Sequence, residues 1–82
     1  MGRPPRPEGT LSPAESRVIA MMARGYTIDQ AATRMSVAPE TVKTQLANIR
    51  RILGARNTTH AVTLALAFRH INMNDVMKGQ PR

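Results

Sequence analysis

The sequence has no cysteine, and its aromatic side chains are limited to Tyr26 and Phe68. The lack of cysteine excludes disulfides and thiolate metal sites, and two histidines far apart in the chain argue against a zinc site, so no metal or cofactor is predicted. Proteins that bind single-stranded nucleic acids usually stack the bases on aromatic rings. The shortage of such rings therefore favours duplex over single-stranded nucleic acid as a partner.

Acidic residues are also scarce, with five Asp and Glu against twelve Lys and Arg and a net charge of +7. Basic residues that cluster on one face indicate nucleic acid or another anionic surface as the partner. No apolar run approaches the roughly 20 residues that a membrane span requires. The N-terminus MGRPPRPEG also lacks the apolar core of a signal peptide and the Ser or Thr of a myristoylation signal. We expect a cytoplasmic, nucleoid-associated protein without membrane contact.

The chain divides into three parts by composition. Residues 1–9 carry prolines and arginines without apolar periodicity and predict a disordered basic arm. Such an arm either enters a minor groove or stays an unstructured tail. Residues 10–71 predict one small domain, and residues 72–82 a short tail with one last turn at most. A core of this size is marginal, so oligomerisation would be an unsurprising source of stability.

Two capping boxes mark the first two helices. In the first box, Ser12 is the N-cap, Pro13 is the first helical residue and Glu15 is the third. In the second box, Thr27 is the N-cap and Gln30 is the third helical residue. Ser36-Val37-Ala38 then forms a three-residue break before a third helix that begins at Pro39, and such a tight connection predicts a helix-turn-helix unit. One apolar stripe along the third helix is expected to be buried: Val42, Leu46, Ile49 and Leu53.

A fourth helix is expected from Asn57 or Thr58 to about His70, after Gly54 has ended the third. It is apolar on two sides. One side is predicted to face the core and consists of Ala61, Leu64, Ala65 and Phe68. Val62 and Leu66 point elsewhere. The resulting fold class is all-α, a four-helix domain with a helix-turn-helix at its centre.

In order and spacing, these residues resemble the LuxR-type (GerE-like) DNA-binding domain, a four-helix module of bacterial transcription regulators. The likeness runs from about Thr10 to Ile71 and is collective. It is carried by Leu11-Ser12, Glu15, Val18-Ile19, Ala23, Gly25, Ala32, Met35, Val37, Thr41-Val42-Lys43, Ile49, Leu53-Gly54 and Ala61-Val62. The family usually carries this domain behind a receiver or sensor, but here only the basic arm of residues 1–9 precedes it, so we expect a stand-alone version.

The chain departs from the family pattern at five positions. The family usually has Arg, Ser, His, Lys and Arg where this chain has Ala14, Ala38, Gln45, Ile52 and Thr58. Without a serine at Ala38, the start of the third helix should be weaker by up to roughly 1 kcal/mol. The departures bear on phosphate contacts and target sequence rather than on the fold.

The resemblance implies roles for residues of the helix-turn-helix. Base-facing positions fall on Lys43, Thr44 and Ala47, where lysine can donate to guanine and the methyl groups can contact thymine. Phosphate contacts are expected from Thr27, Gln30, Thr41, Gln45, Arg50, Arg51 and Arg56. For the arginines, a solvated face is the competing interpretation. We interpret Glu40 as a helix-start charge rather than a cytosine contact.

Two function classes follow from this interpretation. The first is a sequence-specific transcription regulator that binds duplex DNA as a homodimer through Val62 and Leu66 of the fourth helix, the helix with which the family dimerises. Scattered surface residues are the simpler explanation for these two side chains. The second is an interaction module that pairs with a longer regulator or RNA polymerase without recognising sequence itself. No nucleophile–base arrangement or phosphate-binding glycine loop occurs, so no catalytic residue and no enzyme is predicted.

Overall fold

The structure is a computed structural model that describes residues 10–77, and these residues form five α-helices and no strand. The helices are α1 (Pro13–Ala23), α2 (Ile28–Met35), α3 (Pro39–Leu53), α4 (Thr58–Ala67) and α5 (Met73–Met77). The all-α class is therefore confirmed. The arm predicted for residues 1–9 lies outside the described residues, as do residues 78–82.

Both predicted capping boxes are present at the starts of α1 and α2. The Glu15 N–H donates to Ser12 Oγ at 3.1 Å, and the Ser12 N–H donates to Glu15 Oε1 at 2.9 Å. Thr27 and Gln30 exchange the same pair of hydrogen bonds at 3.1 and 2.9 Å. Each box satisfies two N–H groups near a helix start that have no partner within the helix.

The connection between α2 and α3 is a tight turn at residues 36–38. Ser36 adopts a left-handed conformation, with φ 58° and ψ 42°, and the Val37 N–H donates to the Ala32 carbonyl at 3.0 Å. Pro39 then opens α3, while Ala38 at the N-cap makes no side-chain hydrogen bond. Because α2 and α3 pack directly against each other, the two helices and this turn form the predicted helix-turn-helix unit.

The hydrophobic core forms where α1, α3 and α4 pack together, with α2 set against α1 and α3. All four residues of the predicted α3 stripe are buried. The other buried apolar residues are Leu11, Val18, Ile19, Ala31, Ala32, Ala61, Ala65 and Ile71. The core thus fixes one face of α3 and leaves the other available to solvent.

The fourth helix ends earlier than predicted, at Ala67 rather than near His70. Arg69 takes a left-handed conformation (φ 65°), and the N–H groups of Arg69 and His70 donate to the carbonyls of Leu66 and Ala65 at 3.1 and 2.8 Å. This closure is the one that glycine usually provides at helix ends. As a result, the prediction that Phe68 faces the core is wrong, since its side chain is 58% exposed.

The segment predicted as a short tail contains α5. Asn72 and Asp75 exchange side-chain-to-backbone hydrogen bonds at 3.0 Å in both directions, a capping box built from Asn and Asp. Val76 packs against the core, and α5 rests on α1. A fifth helix thus extends the predicted four.

Candidate nucleic-acid interface

The candidate recognition helix, α3, has one buried apolar face and one exposed polar face. Lys43, Thr44 and Ala47 are all exposed, whereas the neighbouring Val42 and Leu46 side chains are buried. At 3.6 residues per turn, these three exposed positions share one side of the first and middle turns of the helix. The predicted base-facing residues therefore lie together on the outer face of α3.

Lys43 has a weak partner on the same helix. Its Nζ lies 3.9 Å from Glu40 Oε1, and both side chains are largely exposed. An exposed ion pair of this length contributes little, typically below about 1 kcal/mol. An acceptor on a ligand can therefore replace Glu40 at small cost, and the lysine amine remains available.

The second half of α3 carries Arg50 and Arg51. The exposed Arg51 donates from Nη2 to Asn48 Oδ1 at 2.7 Å, one turn earlier. A guanidinium has five N–H donors, so this bond orients Arg51 and leaves donors for phosphate oxygens. Arg50 is half-buried. Sequence reasoning missed Asn48, although its i, i+3 spacing from Arg51 was a usable signal.

Thr27 and Gln30 stand at the start of α2, with both side chains exposed. The capping box uses the hydroxyl oxygen of Thr27 and the amide oxygen of Gln30 as acceptors. The Thr27 O–H and the Gln30 NH₂ remain as donors, which is what a phosphate requires. The box therefore orients donors beside a helix N-terminus, a position that favours anions.

The remaining predicted phosphate contacts differ in exposure. Thr41 and Arg56 are exposed, and the Arg56 backbone N–H donates to His60 Nδ1 at 3.1 Å. Gln45 is half-buried, and its Oε1 is buried without a hydrogen-bond partner among residues 10–77. The seven residues thus lie on the start of α2, along α3 and after α3, with Gln45 turned furthest inward.

A second basic feature, which sequence reasoning did not find, flanks α2. The guanidinium carbons of Arg24 and Arg34 lie 5.1 and 4.6 Å from the centre of the Tyr26 ring. An open groove on this side is lined by Tyr26, Arg34, Asp29, Gln30 and Thr33. Seven residues lie between Tyr26 and Arg34, and Tyr26 itself precedes the helix, so no short sequence motif indicates the contact.

The described part of the chain offers no other obvious site chemistry. No group of three or more His, Cys, Asp or Glu residues within it is arranged to hold a metal ion. Nor does any helix within residues 10–77 combine the length and apolar character needed to cross a membrane.

A tight two-helix unit whose second helix buries an apolar stripe and exposes a basic face defines the helix-turn-helix class of DNA-binding transcription regulators. The family described as bacterial regulatory proteins, luxR family, matches residues 9–65, and the chain belongs to this family. The resemblance inferred from the sequence is thereby confirmed. A family of regulatory proteins also agrees with the prediction of a regulator rather than an enzyme.

The chain is also similar to the transcriptional activator protein BjaR1 of Bradyrhizobium diazoefficiens. The two are 35% identical over 68 residues, which cover 83% of this chain and 28% of the relative. The chain therefore spans little more than a quarter of that relative's length.

Proposed function

We propose that this chain regulates transcription by recognising a specific duplex DNA sequence with α3. One observation carries the proposal. Lys43, Thr44 and Ala47 are exposed together on the first and middle turns of a helix whose opposite face is fixed in the core. Recognition helices contact base edges with side chains toward the N-terminal end, while neighbouring groups bind phosphates.

Each residue has a role that fits its chemistry. Lys43 would donate to guanine O6 and N7, and the methyl groups of Thr44 and Ala47 would contact thymine methyl groups. The phosphate contacts would come from Thr27, Gln30, Thr41, Gln45, Arg50, Arg51 and Arg56. Of these, Arg51 has the best-oriented guanidinium because Asn48 holds it at 2.7 Å.

The active form would be a homodimer through α4. Val62 and Leu66 are half-buried on this helix, and a symmetric partner would cover the rest of each side chain. Two recognition helices would then bind half-sites about 34 Å apart, one helical turn of DNA. Such a regulator would act in the cytoplasm at the nucleoid, and RNA polymerase or a longer regulator would be a further partner.

Selection of bound sequences from a random duplex pool tests the proposal. The affinity for the enriched duplex is then compared with a scrambled one at about 150 mM salt, because the chain's charge ensures some non-specific binding. We expect a palindromic or repeated motif. Lys43→Ala should weaken binding to it by about tenfold or more and relax the preference at one position.

The chain offers a matched control in Lys78, its other lysine, which lies outside the described residues. Lys78→Ala removes the same charge and should weaken binding to the enriched and scrambled duplexes alike. Absence of any enriched motif, with affinity that simply declines with salt, would contradict sequence recognition. That outcome would favour the interaction module that pairs with a longer regulator or RNA polymerase.

A further inference from the structure

The Tyr26 ring holds two cations beside α2. The Arg34 guanidinium carbon lies 4.6 Å from the ring centre and that of Arg24 5.1 Å, and Arg24 Nη2 also donates to the Tyr26 hydroxyl at 3.4 Å. Guanidinium groups are attracted to aromatic faces at such distances. The ring therefore restricts two long side chains that would otherwise sample many rotamers.

The contact also sets the direction of Arg34. This residue belongs to the last turn of α2, yet its guanidinium lies over the ring of Tyr26, which precedes the helix. Helical side chains incline toward the N-terminus, and here the long side chain extends back along α2. The charge is thereby carried from the end of α2 toward its start, where Thr27 and Gln30 present their donors.

The local charge balance favours an anion. Within residues 10–77, the Arg34 guanidinium has no carboxylate partner. Asp29 lines the same groove, yet no ion pair joins its carboxylate to Arg34. The charge of Arg34 is therefore open to an anionic ligand.

We infer that Arg34, positioned by the Tyr26 ring, binds a phosphate of the duplex next to the start of α2. When a recognition helix lies in the major groove, the helix before it crosses the DNA backbone. This inference rests on the proposed function, since it assumes that α3 enters the groove. It adds a sequence-independent contact beyond those of α3, with Tyr26 as a positioning residue.

The test is the salt dependence of affinity, measured with the enriched and the scrambled duplex. Each phosphate contact with B-DNA contributes about 0.9 to the slope of log affinity against log salt concentration. Arg34→Gln should reduce the magnitude of this slope by about the same amount. It should also weaken binding to both duplexes by about fivefold at moderate salt. Arg17→Gln, which removes an exposed charge from α1, is the matched control and should change the slope much less.

Tyr26 variants separate positioning from charge. Tyr26→Leu keeps every charge but removes the ring, and we expect it to lower the slope in part. Tyr26→Phe should restore the slope, because it keeps the ring that both guanidiniums contact. Equal slopes for the Tyr26→Leu, Tyr26→Phe and unmodified proteins would overturn the positioning role.

The outcomes distinguish failure of this inference from failure of the proposed function. An enriched motif with the same slope for Arg34→Gln and Arg17→Gln would overturn the phosphate site and leave recognition by α3 intact. A slope that falls for Arg34→Gln without any enriched motif would support the site and contradict sequence recognition.

A separate titration with inorganic phosphate tests whether free phosphate, rather than duplex DNA, is the ligand of this site. Tyr26 is the sole tyrosine and the chain has no tryptophan, so intrinsic fluorescence reports on this ring. We expect no saturable change at millimolar phosphate. A saturable change that Arg34→Gln abolishes would identify a free-anion site and overturn the assignment to duplex DNA.

Discussion

The helices α3 and α4 differ in how completely their large apolar side chains are buried. All four large apolar residues of the α3 stripe are buried within the domain, and the opposite side is polar and basic. The buried residues of α4 are two alanines, Ala61 and Ala65, while Val62, Leu64 and Leu66 remain half-buried. A helix that is apolar on two sides keeps apolar surface outside the core that further burial would stabilise. The difference supports our proposals that α3 offers its free side to a charged ligand and α4 to a protein surface.

The largest effect is expected from the buried side of α3. Ile49 is fully buried, and Ile49→Ala should lower the free energy of unfolding by about 3 kcal/mol through lost burial and a cavity. That is a large share of the stability of a small domain. Urea unfolding measures it, with the half-buried Ile52→Ala as control. Equal losses for both variants would contradict the asymmetric packing of α3.

The free side of α4 is tested by the oligomeric state. Leu66→Gln should weaken dimerisation by about tenfold or more, because a symmetric interface loses the side chain twice. Sedimentation over a range of concentrations measures the equilibrium. Thr63→Gln changes an exposed residue of the same helix and serves as control. Leu66 also packs against the core, so a thermal melt must first show that the variant folds. An unmodified protein that stays monomeric at every concentration would contradict the dimer.

A smaller gain is expected at the start of α3, where the cap is missing. Ala38 makes no side-chain hydrogen bond at the N-cap, so Ala38→Ser should stabilise the domain by about 1 kcal/mol and raise the Tm by about 5 °C. Ala67→Ser places the same hydroxyl at the exposed last residue of α4, where no N–H awaits an acceptor. If both variants melt alike, Ala38 is not a missing cap.

The smallest effect is expected at Glu40. Its exposed pair with Lys43 and its position in the first turn of α3 are each worth a few tenths of a kcal/mol, so Glu40→Gln should lower stability by at most about 0.5 kcal/mol. The sequence enriched by the protein should stay the same. A changed preference at one base pair would instead show that Glu40 contacts a cytosine.

The sequence predicted most of α1, α2 and α3 because their boundaries depend on local chemistry. Ser12 and Thr27 form the predicted capping boxes, and the buried stripe of α3 follows from a regular period. The end of α4 escaped prediction because a non-glycine residue, Arg69, takes the left-handed conformation. The side of α4 that was predicted to face the core does supply the two buried alanines of this helix, but Phe68 falls beyond the end of the helix and is exposed.

Within the candidate DNA interface, the sequence predicted the positions that depend only on the regular period of α3. Exposure of Lys43, Thr44 and Ala47 follows directly from the buried stripe of α3. The inward turn of the Gln45 amide oxygen does not, since its depth depends on neighbouring helices. Nor could the sequence indicate that Arg34 stacks on Tyr26, because that contact depends on side-chain conformation.

The most direct test of the account is a nuclear magnetic resonance titration of ¹⁵N-labelled protein with the enriched duplex. At a protein concentration that keeps the chain dimeric, DNA should shift the amide signals of Lys43, Thr44 and Ala47 and leave those of Val62 and Leu66 nearly unchanged. Dilution of the free protein should instead shift the signals of Val62 and Leu66. The scrambled duplex should produce smaller shifts on α3. Shifts centred on α4, or equal shifts with both duplexes, would contradict recognition of DNA by the exposed face of α3.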